Sequence, residues 1–304
     1  MTPKLKRIPA TLSVDVDPVD AHLAGYGVIG QPPDSACYER AVPRLLEAFA
    51  AHGVRATFFW VARDAERSAA ALRAVVAAGH EVASHSLTHA EAWRNAGSAE
   101  VAHELRESKQ RLEQCAGASV VGFRSPGWHG PRGLHEELAR AGYRYDASSF
   151  PSPLLGAMSA LLFLGSRGRR RVPLGAGQWF APRAPSQLAR GLTEFPVSVT
   201  RRLRFPVYHT LRYSVSSARF ERLLEALARE GHELSYPLHA VDALGLREDG
   251  IEQRLARHPG MSMALEEKLS LLYSTLRAIA ERFSPAPYCQ RLATLGHVGE
   301  PASA

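Results

Sequence analysis

Two patterns alternate along the first 245 residues. Short runs of apolar or β-branched residues fall at Thr11–Asp17, Ala56–Ala62, His80–Ser86, Ser119–Gly127, Arg144–Ser148, Leu192–Val199 and Glu233–Ala240. Several are apolar throughout, as in strands covered on both faces. Between them, apolar residues recur every three or four positions over Tyr38–Ala51, Arg63–Ala78, Ser98–Ala116, Gly133–Ala141 and Ser216–Arg229. Gly53, Gly79, Gly117, Gly142 and Gly231 follow these segments closely, where glycine can take the left-handed conformation that ends a helix. Seven strands interleaved with helices predict an α/β protein with a mostly parallel sheet, open and doubly wound or closed as a barrel.

The segment 150–191, rich in Pro, Gly and Arg, interrupts the alternation and reads as an insertion or lid. Residues 246–304 read as a C-terminal helical extension and tail. Within it, Leu265, Leu269, Leu272, Leu276, Ile279 and Phe283 form one stripe that predicts a helix over Met261–Phe283 packed on the main domain. The tail from Gly296 reads as disordered.

Composition narrows the class. Of 304 residues, 45% are hydrophobic and 22% charged, which excludes a wholly disordered, collagen-like or many-span membrane chain. Lys+Arg total 37 and Asp+Glu 30, a net charge of +7. No nucleic-acid motif accompanies that excess, so no nucleic-acid partner is expected. Three widely spaced cysteines without a CxxC pair point away from a disulfide framework or a cysteine-based zinc site. The N-terminal residues lack a signal-peptide h-region, so a cytoplasmic location is expected. The apolar run Leu154–Leu164, followed by Arg167, Arg169, Arg170 and Arg171, has the composition of a surface element meeting lipid headgroups. It reads either as a peripheral contact with an anionic inner membrane face through 154–171 or as an ordinary loop with its apolar side buried.

The candidate chemistry sits at strand ends, where parallel β/α folds gather functional groups. In Ser84-His85-Ser86-Leu87-Thr88-His89, two imidazoles four residues apart can face one metal ion. In Ser13-Val14-Asp15-Val16-Asp17-Pro18, two carboxylates alternate at the end of an apolar strand and so point the same way. Leaving both there costs free energy unless a cation or a donor compensates. One carboxylate with two histidines makes an open facial triad, the pattern of a catalytic metal site. Phe123-Arg124-Ser125-Pro126-Gly127-Trp128 brings an arginine able to orient a carboxylate, then a sharp turn. Tyr236-Pro237-Leu238-His239 places a further histidine at a strand end.

These motifs, in this order over roughly residues 10 to 245, resemble the polysaccharide deacetylase (NodB-homology, carbohydrate esterase 4) family, most specifically at Ser84–His89. The resemblance implies an irregular (β/α)7 barrel. It also implies a divalent transition metal, Zn2+ first with Co2+, Ni2+ or Fe2+ as alternatives, bound by Asp17, His85 and His89. Asp15 would be the general base, Arg124 its orienting partner and His239 the acid that protonates the leaving amine. The Gly127 N–H would stabilise the oxyanion, with Trp128 beside it at the substrate. Val16 splits an acidic pair that is adjacent in the family, which leaves the base and ligand roles of Asp15 and Asp17 exchangeable. For the carboxylate that tunes His239, Asp146 is the candidate; Asp242 is an alternative partner but reads more readily as a cap.

The activity implied is hydrolysis of an N-acetyl or N-formyl group on an amino sugar. Gly142–Ser148 and Thr193–Pro196 resemble an intracellular subgroup acting on surface-glycan or lipid-linked precursors. Hydrolysis of a non-sugar amide and a non-catalytic sugar-binding module are the competing readings.

Overall fold

The computed structural model describes residues 7–90, 93–153, 178–189 and 191–296. Its centre is a curled, mostly parallel sheet. Strand β1 is Ile8–Val16, β2 Thr57–Trp60, β3 Glu81–Ser84, β4 Gly122–Phe123 and β5 Tyr145–Asp146. They are followed by β6 Ser186–Ala189, β7 Leu192–Glu194, β8 Leu234–His239 and β9 Phe283–Pro285. The spatial order is β6-β7-β5-β4-β3-β2-β1-β8, with β9 pairing β1. All described pairings are parallel except that of β6 with β7.

Each of the seven expected strands is present, six of them shorter than expected and β1 beginning earlier, at Ile8, and the curled sheet with helices packed against it is of the expected α/β barrel type. Helices α1 Val19–Ala24, α2 Val42–Ala51, α3 Ala69–Ala77, α4 Ser98–Ala116 and α5 Leu134–Arg140 precede the interruption. Helices α6 Ser217–Arg229, α7 Leu265–Arg282 and α8 Tyr288–Gly296 follow it. The stop glycine works as expected at α4, where Gly117 has φ 68° and its N–H donates to the Glu113 carbonyl.

Two separate groups of apolar side chains fill the fold. The larger lies mainly between sheet and helices and includes Leu12, Val14, Trp60, Phe123 and Leu138. The smaller comprises Phe59, Ala83, Tyr145, Ala147, Phe195 and Tyr288 and fills the concave side of the sheet. Room for it is made at Gly122, where an added Cβ would lie 1.9 Å from the Tyr145 ring. The α7 stripe buries Leu272, Leu276 and Ile279 as its periodicity requires. The chain then returns to the sheet: β9 pairs with β1 from Ile8↔Phe283 to Ala10↔Pro285, and Tyr288 enters the concave core. Neither β9 nor α8 was expected, because a three-residue strand containing proline has no readable period.

The apolar run Leu154–Leu164, the arginines 167–171 and the tail beyond Gly296 lie outside the described residues. No described helix is long and apolar enough to cross a membrane.

Candidate metal centre and hydrolytic site

The register of the sheet decides which side chains meet. One row of partners runs Val16↔Trp60, Trp60↔Ser84, Ser84↔Phe123, Phe123↔Asp146 and Asp146↔Glu194. In a parallel sheet such partners point to one face, and here it is the outer face, toward the helices. The residues one position away therefore point inward: Asp15 and Phe59 below the row, Asp17, His85, Arg124 and Ala147 above it. Four of the sequence candidates thus converge at the rim of the concave side.

His85 begins the turn after β3. Its Nδ1 lies 2.8 Å from the Arg124 carbonyl, which can only accept, so the Nδ1 proton is held there. Nε2 is left facing Asp17 Oδ1 at 3.2 Å. His89 Nε2 approaches the same oxygen at 3.6 Å. The turn that brings His89 round is tight, with positive φ at Ser86 (64°) and His89 (54°). It is held by donors rather than by packing alone. Ser86 Oγ accepts from the His89 N–H at 3.0 Å. From α4, the buried Glu104 carboxylate accepts from the Leu87 N–H (2.9 Å), the Thr88 N–H (3.1 Å) and the Thr88 hydroxyl (2.7 Å).

The donor atoms of Asp17, His85 and His89 all lie within 4.8 Å of one another, and Asp17 Oδ1 is buried without a hydrogen-bond partner. An orphaned carboxylate oxygen facing two imidazole nitrogens fits a divalent transition ion. The charges agree. Burial alone would raise the Asp17 carboxyl, but His89 and His85 hold it well below the usual carboxylate range. Burial lowers His85, and the Asp17 carboxylate outweighs it, so His85 is raised. At His89 burial prevails over Asp17 and the imidazole is lowered.

Asp15 occupies a different environment. Its Oδ1 accepts from Arg124 Nη1 at 2.5 Å, and its Oδ2 lies 3.9 Å from His239 Nε2. Asp15 and His239 are direct register partners on β1 and β8. Arg124 is fully buried and spends its donors on Ser13 Oγ (2.8 Å), the Ala147 carbonyl (2.9 Å) and the Tyr288 hydroxyl (3.4 Å). Its guanidinium also stacks on Phe59 and Trp128, 4.0 and 4.6 Å from the ring centres. The two aspartates, alike in sequence, are therefore sorted: Asp17 among imidazoles, Asp15 between an arginine and His239.

Gly127 lies on an exposed turn with φ 61°, and Trp128 follows with φ 66°. The loop is anchored at Ser125, whose N–H donates to Ser148 Oγ at 2.8 Å. Ser148 in turn donates to Asp146 Oδ1. Asp146 is not brought to His239, which corrects the expected pairing. Strand parity turns Asp146 to the outer face, and through Ser148 it supports the Gly127 loop instead. Asp242 instead caps the turn after β8: Oδ2 accepts the His239 backbone N–H at 2.8 Å, and Oδ1 accepts the Tyr213 hydroxyl at 2.8 Å, so the carboxylate beside the His239 ring is Asp15.

Three residues at the site escaped the sequence reading. His22, on α1, has Nε2 buried without a hydrogen-bond partner, 3.8 Å from Asp17 Oδ2. His258 packs edge-on against His22, ring centres 5.0 Å apart, and burial pushes it down to about 4. Tyr288 reaches Arg124 from beneath. His22 was findable, five residues after Asp17 on a short helix; nothing local marks His258 or Tyr288.

Residues 33–145 match the polysaccharide deacetylase family model. That segment holds His85, His89, Arg124 and Gly127, while Asp15, Asp17 and His239 fall outside it. A peptidoglycan deacetylase of Helicobacter pylori is 29% identical over 147 residues, 47% of this chain and 50% of that protein. A chitooligosaccharide deacetylase of Sinorhizobium fredii is 35% identical over 85 residues, 28% of this chain and 39% of that protein. The matches thus span half or less of the curated relatives. The fold is shared with a probable polysaccharide deacetylase of Pseudomonas aeruginosa PAO1, with a TM-score of 0.60 and 18% identity over 98% of this chain and 93% of that one. It is shared equally with the Puue allantoinase, with a TM-score of 0.61 and 17% identity over 99% of this chain and 94% of that one. The resemblance read from the motifs is borne out.

Proposed function

We propose that the chain, similar over residues 33–145 to the polysaccharide deacetylase family, is a metal-dependent amide hydrolase removing the N-acetyl or N-formyl group of an amino sugar. The observation that carries this reading is the sorting of the two aspartates of β1. Asp17 shares its orphaned oxygen with two imidazoles, whereas Asp15 bridges Arg124 and His239.

Asp17, His85 and His89 would hold the ion. Such an ion would supply a Lewis acid that polarises the acyl carbonyl and would make water acidic enough to attack near neutral pH. Asp15 would take a proton from the attacking water, with Arg124 fixing the orientation of its carboxylate. His239, beside Asp15, donates a proton to the sugar nitrogen as it leaves, because an amide anion is a poor leaving group. The exposed turn at Gly127 offers its N–H to the developing oxyanion. Trp128 presents a ring at the same rim, the usual partner for a sugar face.

The names of the two curated relatives favour an acetylated amino sugar in a glycan over a small non-sugar amide. A lipid-linked substrate and contact with an anionic inner membrane face rest on the composition of residues 154–171. Flotation with liposomes tests that contact, and absence of binding with or without anionic lipid removes it.

The test of the activity pairs metal analysis with product release. Chelator-free protein is expected to carry a transition ion in the Asp17 site and to release acetate or formate from acylated chitooligosaccharides. His85→Ala is expected to lose both. Metal-loaded protein that binds these sugars without releasing acid would overturn the enzyme in favour of a binding module.

A further inference from the structure

The outer face of the same sheet holds a second group of ligand-type side chains. Asp146 and Glu194 are register partners on β5 and β7, both buried, with parallel side chains directed toward α5. His135, in the first turn of α5, faces them with Nε2 3.6 Å from Asp146 Oδ2. One ligand atom from each of the three lies within 4.8 Å of the others. We propose that His135, Asp146 and Glu194 form a second cation site, separate from the Asp17 centre, for a divalent ion of the Zn2+ or Mn2+ class.

Three observations carry this inference. First, one oxygen of the pair is left without a donor. Asp146 Oδ1 accepts from Ser148 Oγ, and Glu194 Oε1 accepts from the Ser149 N–H at 2.9 Å. Asp146 Oδ2 is buried without a hydrogen-bond partner. Second, two carboxylates stand side by side with one imidazole as the only described side-chain cation in salt-bridge range. Like charges so placed cannot both ionise in a dry setting without a counter-ion. Third, the site has a way in: the His135 side chain is 46% exposed while Asp146 is wholly buried. One imidazole with two carboxylates suits a borderline transition ion better than Ca2+ or Mg2+, which favour all-oxygen shells.

The site has a structural consequence. Asp146 holds Ser148, and Ser148 holds the Ser125 N–H, so an ion on Asp146 stiffens the root of the Pro126–Gly127 turn.

The test does not depend on activity. In a His85→Ala/His89→Ala double variant the first centre is dismantled. The stripped protein is titrated calorimetrically with Zn2+ and, separately, with Mn2+. One ion per chain is expected to remain, and adding His135→Ala or Glu194→Gln is expected to weaken it at least about tenfold. His135 is half exposed, so its replacement leaves the core intact, and circular dichroism checks the fold. If neither metal binds the double variant, or if both added substitutions leave the affinity unchanged, the site does not exist. Wild-type protein that binds one ion, lost in the double variant, would keep the first centre and refute the second.

Discussion

The inner and outer clusters invite direct comparison. Both place buried carboxylates beside imidazoles, on adjacent rows of one sheet, at the same edge of the strands. Their carboxyl groups are shifted in opposite directions. Inside, one carboxylate meets two imidazoles, with a third nearby, and Asp17 is held well below the usual range although burial opposes it. Outside, two carboxylates meet one imidazole, and burial raises both. Burial is common to the two, so it does not decide the outcome. The ratio of carboxylates to partners does. The inner cluster favours the charged carboxylate, and the outer one disfavours it in the absence of a cation.

Replacing Arg124 with Met would break the inner face most severely. Asp15 would be left buried without its guanidinium, facing only His239, a loss of about 3–5 kcal/mol in stability by denaturant titration. The same change on the outer face has no counterpart, since no described arginine contacts Asp146 or Glu194 directly.

Asp17→Asn separates the clusters by metal. The inner affinity is expected to fall by more than about 100-fold in equilibrium titration, because loss of a ligand should exceed loss of a supporting residue. Binding at the outer cluster should not change.

Acidity sharpens the contrast. The folded outer pair holds more protons than the unfolded chain between the usual carboxylate range and its own raised values. Raising the pH through that window therefore costs stability. In the presence of chelator, the melting temperature of wild-type protein should fall between pH 5 and pH 8 by more than that of Glu194→Gln. The amide of the variant can donate to Asp146 Oδ2 and removes one ionisation. An equal fall in both proteins would show that the pair does not titrate as a unit.

The smallest effect is expected at Tyr288→Phe. It removes a hydroxyl hydrogen-bonded to Ser235 (2.7 Å) and Arg124 (3.4 Å) and leaves the ring in the core. One hydrogen bond is worth about 0.5–1.5 kcal/mol, so kcat should drop roughly two- to tenfold. KM should hold, because Tyr288 lies beneath Arg124 and not at the rim. A change in KM alone would place Tyr288 outside the positioning of Asp15.

Much of this was legible in the chain. The seven strands, the ends of the principal helices and the turn Ser84–His89 follow from periodicity, glycine placement and short motifs. Those are local signals, fixed by backbone conformation and by burial of one face. The two aspartates were legible as a pair, and their alternation correctly placed them on one side of β1. Which of them meets imidazoles and which meets Arg124 was not legible, because the answer depends on neighbours more than sixty residues away.

Asp146 marks the boundary between the two kinds of information. Its position in the chain, near the end of a strand in the expected order, suggested a partner for His239. Only the register with β4 and β7 reveals that its side chain points to the other face. A shift of one residue reverses every side chain of a strand, and pairing across the sheet, not local sequence, sets that parity. The same holds for Tyr288 and His258, delivered to the site by a segment that follows the barrel strands in sequence. The sequence by itself determined which elements form and which chemical groups stand at strand ends, since propensity and periodicity act over a few residues. The tertiary structure alone decided which groups share a face and which carboxylates keep their charge, since both depend on distances between strands that the chain joins only through long connections.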